Sequence, residues 1–143
     1  MISEKWQEAD LQTYRLIVVE AKAEDQGYLS LQQIENLSCD VFRMIDKTWE
    51  ITSDNQFGFS VQKRIYLETG NDLEKFNEKT YKSFLEAIGW ARKNSRDSLE
   101  YLKYTQGLFD DAIAKPGHLP IALYDSNVEV ERRFFALAEK CVL

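Results

Sequence analysis

The residues of this chain that could take part in chemistry are few and are not grouped. His118 is the sole histidine among 143 residues, so a cluster of histidine metal ligands is excluded. The carboxylate pairs Asp110-Asp111 and Glu24-Asp25 are adjacent in sequence, which is typical of solvated turns rather than of a general acid and base that converge on a substrate. Glycine-rich phosphate loops and the motifs of nucleophilic serines are absent as well. We therefore expect a protein that is not an enzyme.

Aromatic residues, which make up 13% of the chain, point instead to packing or to ligand binding. Phe57 and Phe59 flank Gly58 near the start of the stretch 55–66. A glycine at this point permits a sharp turn or a positive φ, and Ser60 is a candidate N-cap for the amphipathic helix that follows. We expect the turn to place both rings on one surface, which is either core packing or the wall of a cleft.

Composition and charge limit the class of protein. A chain of this length with 44% hydrophobic residues is expected to form one domain, 1–143, that needs neither a disulfide nor a metal to fold. The net charge of −6 disfavours nucleic-acid binding, which depends on neutralising phosphates. Cys39 and Cys141 lie far apart without metal-ligand spacing, which suits buried free thiols in a reducing compartment with no covalently attached cofactor. We expect no transmembrane segment and a monomer, and peripheral membrane association stays open.

Helical periodicity predicts an all-α fold of about six to eight helices, because β-branched residues never alternate over four or more positions. Ser30 and Gln33 form a capping box, and Phe42, Ile45 and Trp49 mark the buried stripe of a helix that Ser38 caps. The predicted helices are Glu4–Ala23, Ser30 to about Leu37, the helix after Ser38, Ser60 to about Glu68, a helix around Tyr81–Ile88, and a last helix that Ser126 caps and that runs through Val130, Phe134, Leu137 and Cys141.

The segment from Ala91 to Pro120 is the least regular part of the sequence. It carries Tyr101, Tyr104 and Phe109 without a sustained helical period. A run of this length is long for a connection, and long loops are often functional. Its apolar residues either fold onto the core or line a cleft, which would suit a flat hydrophobic ligand or a protein partner.

Several motifs in order resemble the genomes-uncoupled-four family. They span most of the chain, from Trp6 to Pro120, and their order and approximate spacing match the family. The motifs are Trp6-Gln7-Glu8-Ala9-Asp10 with Thr13-Tyr14, Gly27-Tyr28-Leu29, Ile45-Asp46 with Trp49, the run from Phe57 to Arg64, Ile88-Gly89-Trp90, and Gly117-His118-Leu119-Pro120.

The resemblance implies a single compact helical domain with a cupped apolar cleft that binds protoporphyrin IX or Mg-protoporphyrin IX. It also implies a non-catalytic regulator that stimulates magnesium chelatase, through the large subunit of that enzyme, in chlorophyll biosynthesis. The corresponding location is the cyanobacterial cytoplasm or the plastid stroma. The two walls of the cleft are expected at Tyr28–Leu37 and in the loop that ends at Pro120.

The residues predicted to contact the tetrapyrrole follow from these two walls, and none is predicted to be part of a protein metal site. Tyr104 stands where relatives often carry a tryptophan, so it keeps a face for stacking and gains a hydroxyl. For His118 two roles stay open, namely axial ligation of the bound metal and hydrogen bonds that hold the loop. The predicted set is Leu31, Ile34, Phe59, Tyr104, Phe109, His118, Leu119 and Leu123.

After Pro120 the sequence departs from the family. Leu123, Ser126 and Glu129 stand where relatives place an asparagine and two arginines, which could meet the porphyrin propionates. Arg132, Arg133 or Lys103 are the available substitutes. The departure supports an alternative, a sensor or interaction module of the same fold that binds a bilin, another small molecule or a protein partner without activating the chelatase.

Overall fold

The computed structural model of the chain describes residues 2–102, 115–124 and 127–143, with side chains from Lys5 onward. Within these ranges the fold is mostly helical, which confirms the all-α prediction. The α-helices are α1 (Ile2–Glu20), α2 (Leu31–Glu35), α3 (Cys39–Thr52), α4 (Phe59–Glu68), α5 (Glu78–Ala87) and α6 (Val128–Lys140). A 3-10 turn covers Ala122–Tyr124. In this part of the chain the count is therefore six α-helices, at the lower end of the predicted range.

A small hairpin was not expected from the sequence. Strands β1 (Ala91–Lys93) and β2 (Leu99–Tyr101) pair antiparallel, with Ala91 opposite Tyr101. The side chain of Asn94 closes the turn by accepting from the backbone N–H groups of Arg96 and Ser98. Strands of three residues are too short to show alternation, so the period-2 pattern could not reveal them.

Some helices are capped at their N-terminus by a residue next to them in sequence, and α4 is capped by a side chain from another helix. Ser30 and Gln33 form the predicted capping box of α2, and Ser38 caps α3 as expected. The prediction for Ser60 is wrong. Gly58 is the N-cap of α4, and the Asp46 carboxylate on α3 accepts from the Ser60 backbone N–H at 2.9 Å. The Ser60 hydroxyl donates instead to Glu50 at 2.6 Å.

The cap of α6 also differs from the prediction. Asn127 is the N-cap, and its side-chain oxygen accepts from the backbone N–H groups of Glu129 and Val130. The predicted cap, Ser126, lies outside the described residues. Asn and Ser are both good caps, so the sequence alone did not separate two neighbouring candidates.

The two phenylalanines beside Gly58 are both buried in the hydrophobic core, as expected for core packing, but they contact different rings. Phe57 lies against Trp6, with ring centroids 5.2 Å apart, while Phe59 stacks on Phe42 at 4.4 Å and on Phe134 at 5.8 Å. Gly58 has φ 131°, and a Cβ there would lie 2.9 Å from the Asp46 Oδ1. Both the backbone conformation and the missing space therefore require glycine.

The cysteines form a disulfide, which corrects the expectation of free thiols. Cys39, the first residue of α3, is bonded to Cys141, the residue after α6, across a separation of 102 residues. The Arg43 Nε donates to the Cys141 carbonyl at 2.9 Å and fixes the same junction. The pairing depends on how the two helices pack, so the sequence spacing could not reveal it.

One buried acid joins α5 to α6. The Tyr81 hydroxyl donates to the Glu131 carboxylate, at 2.9 Å to Oε1 and 3.1 Å to Oε2. Burial raises the pKa of Glu131 from 4.5 to about 8, against a smaller lowering by the hydrogen bond from Tyr81. Burial also raises the pKa of Tyr81, and the neighbouring Glu131 raises it further. Near neutral pH the acid therefore favours its protonated form.

Loss of the disulfide should destabilise the protein. Closing a loop of about 100 residues stabilises a fold by up to roughly 4–5 kcal/mol through the entropy of the unfolded chain, with engineered cases often lower. We expect urea unfolding with dithiothreitol to give a free energy of unfolding lower by roughly 2–5 kcal/mol than without it. The variant Cys39→Ser/Cys141→Ser should be insensitive to dithiothreitol, whereas equal stability of oxidised and reduced wild type would contradict the bridge.

The stability should also depend on pH through Glu131. Its pKa is about 8 in the folded protein, against 4.5 for an unperturbed glutamate, so the folded state binds more protons between these values. This contribution is complete below pH 4.5 and is lost as pH rises to about 8, a change on the order of 3–5 kcal/mol. The measurement is urea unfolding of wild type and Glu131→Gln at several pH values. The stability difference between them should shift against wild type as pH rises, and a constant difference would refute the assignment.

Candidate functional site

The segment Gly117-His118-Leu119-Pro120 is fastened to the turn around Gly58. The Gly58 N–H donates to the Leu119 carbonyl at 3.0 Å, and the Gly117 N–H donates to the Gln56 carbonyl at 2.8 Å. Both bonds join backbone groups, so they hold the course of the chain whatever the neighbouring side chains are. Two motifs that are about 60 residues apart in sequence thus form one structural unit.

Gln62 completes this unit and was missed as a functional candidate. Its side chain is fully buried, and its Nε2 donates to the carbonyls of Gly117 at 3.0 Å and Pro120 at 2.6 Å. Its Oε1 accepts from the Tyr124 hydroxyl. A signal was present in the sequence: Gln62 follows Phe59 by three residues and so shares the buried face of α4. A polar residue on such a face has to find partners.

His118 lies inside the molecule and holds the segment. Its Nδ1 is 2.9 Å from the Ile88 carbonyl, and its own carbonyl accepts from the Trp90 Nε1 at 2.8 Å. Because a carbonyl only accepts, the proton of this bond is on Nδ1. Of the two roles that the sequence left open, this geometry supports the loop-holding one.

Asp10 of α1 fixes the exit of the segment. Its buried carboxylate accepts from the backbone N–H of Ile121 at 2.7 Å and from that of Ala122 at 3.1 and 3.2 Å. These N–H groups lie at the start of the 3-10 turn, where a negative charge is favourable. The first predicted motif, Trp6 to Asp10, therefore positions the last one.

The predicted tetrapyrrole contacts differ in accessibility. Leu31 is partly buried at the start of α2, and Tyr28 before it is 65% exposed. Tyr104 and Phe109 lie outside the described residues. The remaining predicted residues are buried in this structure: Ile34, Phe59, His118, Leu119 and Leu123. A role for them in ligand contact stays a prediction.

Three elements that carry predicted tetrapyrrole contacts all pack against helix α6. Helix α2, which carries Leu31 and Ile34, packs on α6, and so does α4, which carries Phe59. The 3-10 turn with Leu123 also contacts α6. Phe59, His118 and Leu119 are brought together more directly, through the bonds between the Gly58 turn and the Gly117–Pro120 segment.

A small cavity lies between α5, β2, the 3-10 turn and α6. Its volume is about 60 Å³, far below the roughly 300–1,000 Å³ of a drug-sized ligand pocket. Among the described residues, its lining consists of aromatic side chains, Glu131, Leu85, Leu102 and Ile121. None of the predicted contact residues that the structure describes lines this cavity, but Tyr101 and Leu102 belong to the 91–120 segment that was predicted to form the second wall.

Metal sites and membrane spans are both missing from the described residues. No group of three or more His, Cys, Asp or Glu in those ranges is arranged to hold a metal ion. No helix within the same ranges combines the length and the apolar character needed to cross a membrane. In this part of the chain, buried polar side chains such as Asp10, Gln62 and His118 hold the backbone of the loops by hydrogen bonds.

The sequence of the chain is similar to those of two curated proteins. A chloroplastic tetrapyrrole-binding protein of Arabidopsis thaliana is 26% identical over 145 residues, which cover 89% of this chain and 54% of that protein. A Ycf53-like protein of Synechocystis sp. is 28% identical over 99 residues, covering 69% of this chain and 37% of that protein. The chain thus spans about half, or less, of the length of these curated relatives.

Two solved structures have the same fold. The ligand-free structure of Arabidopsis thaliana GUN4 superposes with a TM-score of 0.73 at 22% identity, covering 92% of this chain and 83% of that one. GUN4 from Chlamydomonas reinhardtii gives 0.70 at 24% identity, with 92% and 76% covered. A family model described as GUN4-like matches residues 1–136. Because that match extends over nearly the whole sequence, this chain belongs to the GUN4-like family, the genomes-uncoupled-four family of its sequence motifs.

Proposed function

We propose that the chain, as one domain, binds a tetrapyrrole and is not itself an enzyme. The observation that carries the proposal is the family match over residues 1–136, together with a relative named as a tetrapyrrole-binding protein. The expected ligand is protoporphyrin IX or its magnesium complex, which the chain holds without a covalent bond. The relatives from Arabidopsis chloroplasts and from Synechocystis support a location in the plastid stroma or the cyanobacterial cytoplasm.

The physical basis of binding is apolar area. A macrocycle face that buries several hundred Å² gains roughly 25 cal/mol per Å² before the costs of ordering are subtracted. Tyr28 is exposed and Leu31 is partly so, which leaves apolar surface at the first predicted wall. At the second wall, the Leu119 carbonyl accepts from the backbone N–H of Gly58, so little ordering of this residue remains to be done on binding.

Leu31→Ala should weaken binding of protoporphyrin IX roughly fivefold, because about 1 kcal/mol of apolar contact is lost. Tyr104→Ala should act in the same direction. The measurement is a titration of the full chain with protoporphyrin IX, following the quenching of tryptophan fluorescence. Leu67→Ala is the matched control, since Leu67 is an exposed leucine on α4 outside both walls. An equal effect of both leucine variants, or no saturable quenching by wild type at micromolar ligand, would refute the proposed site.

We further propose that the liganded protein acts on magnesium chelatase through the large subunit of that enzyme. The support is family membership alone, so a second candidate is kept. The charged groups near the predicted propionate positions favour this second candidate, a sensor without chelatase activation. Leu123 is buried, Glu129 pairs with Arg132, and Arg133 pairs with Glu35. Arg132 and Arg133 are therefore already engaged by carboxylates, and the third predicted cation, Lys103, lies outside the described residues.

A binding and rate experiment separates the two candidates. Purified large subunit is immobilised and incubated with the chain, with and without protoporphyrin IX, and the chelation rate is measured at limiting porphyrin. Retention of the chain together with a faster rate is expected for a chelatase regulator, and Leu31→Ala should reduce the stimulation as it reduces porphyrin affinity. Saturable porphyrin binding with neither retention nor stimulation would leave the sensor candidate and exclude the regulator.

A further inference from the structure

The cavity of about 60 Å³ has the chemistry of a site for a small cation. Its walls include the rings of Tyr81, Trp90, Tyr101 and Tyr124. The faces of aromatic rings carry a negative quadrupole that attracts ammonium groups. Trp90 and Tyr124 are packed side by side, with centroids 5.5 Å apart, so these two rings present a fixed wall. Tyr101 is 57% exposed, which places it at the rim and gives the cavity a route to solvent.

Glu131 supplies the charge. Its side chain lines the cavity while the residue is only 1% exposed. Both of its carboxylate oxygens accept from the same donor, the Tyr81 hydroxyl. A carboxylate has about four acceptor positions, so most of the acceptor capacity of Glu131 is unused by the described residues.

No positive side chain among the described residues is paired with this carboxylate. Arg132, the next residue on α6, directs its guanidinium to Glu129 and to the Leu73 carbonyl. The charges that act on Tyr124 at the cavity wall are all negative. Burial raises the pKa of Tyr124, and the negative charges of Glu131, Asp10 and Asp46 raise it further. When Glu131 is ionised, the field at Tyr124 is therefore negative, which favours a cation.

We propose that this cavity binds the ammonium group of a small primary amine, with the Glu131 carboxylate as counter-ion and the surrounding rings as walls. The volume admits a small ligand such as methylammonium, because about 60 Å³ is several times the roughly 10–15 Å³ that one water molecule needs by the same measure. Ammonium N–H groups would use the acceptor positions that Tyr81 leaves free. A quaternary ammonium has no N–H donor and is bulkier, so the cavity rejects it.

The site adjoins the second predicted wall of the tetrapyrrole cleft, because Tyr101 and Leu102 belong to the 91–120 segment; its ligand, a small cation, differs from the anionic tetrapyrrole of the function proposed above. Its lining shares no residue with the predicted tetrapyrrole contacts that the structure describes. Protons compete with the ammonium for Glu131, whose pKa is about 8 in the empty site. Affinity should therefore increase with pH up to about 8 and change little between 8 and 9.

The test uses the full chain and methylammonium chloride, with sodium chloride holding the ionic strength constant. Saturation-transfer NMR from the aromatic protons to the methyl group is measured at pH 9 and at pH 6. We expect a saturable signal at pH 9 and an apparent affinity at least roughly tenfold lower at pH 6, since protonated Glu131 cannot act as counter-ion. Tetramethylammonium should give no saturable signal and should not compete.

Variants locate the signal. Glu131→Gln should abolish saturable transfer, whereas Glu139→Gln, an exposed glutamate near the other end of the same helix, should leave it unchanged. Tyr101→Ala changes an exposed rim residue and should weaken binding several-fold with the fold intact, which keeps the proposal testable if Glu131→Gln does not fold. Three results would overturn the proposal: an undiminished signal in Tyr101→Ala or Glu131→Gln, equal transfer to tetramethylammonium, or no saturable transfer to methylammonium at pH 9. The last of these would mean that the cavity holds water only.

Discussion

The structure depends on one buried polar arrangement, the attachment of the Gly117–Pro120 segment to the turn at Gly58. The backbone bond from Gly58 to Leu119 and the side-chain bonds from Gln62 satisfy groups that have no access to water. Leaving such a group unpaired costs roughly 1–3 kcal/mol, more than a made bond contributes. Each partner therefore constrains the others, and substitution of Gln62 by an apolar residue would leave two carbonyls and the Tyr124 hydroxyl without this partner.

The same attachment explains why the family motifs lie where they do. Asp10, Asp46 and Gln62 come from three different helices, and all of them bind backbone N–H or C=O groups of turns. A side chain that fixes backbone can hold a loop whose own sequence has no helical period. The polar core is thus the means by which α1, α3 and α4 position the two loops around Gly58 and Leu119.

The features that were predicted correctly from the sequence are those that depend on residues close together in the chain. The Ser30 capping box and the stripe of Phe42, Ile45 and Trp49 depend on spacing within one helix, and both are present. The features that were missed depend on tertiary packing. The carboxylate that caps α4 comes from α3, and the disulfide joins residues that are 102 positions apart. The hydrogen bond from Gln62 to the Gly117 carbonyl likewise forms only in the folded chain. In the candidate site, the motif residues were predicted, but the burial of His118 and Leu119 was not.

The distribution of buried acids bears on how an anionic tetrapyrrole would lie. Asp10 binds the start of the 3-10 turn, Glu131 lies in the cavity beside it, and both act on Tyr124 through space. A propionate directed toward this turn would meet the negative charge of Asp10 and, above about pH 8, also that of Glu131, in a medium of low dielectric constant. The arginines that the family resemblance implies after Pro120 would offset that repulsion, and this chain has Glu129 at one of these positions. A macrocycle bound at the predicted cleft is therefore expected to direct its propionates away from the 3-10 turn, and neutral or esterified tetrapyrroles should be tolerated as ligands.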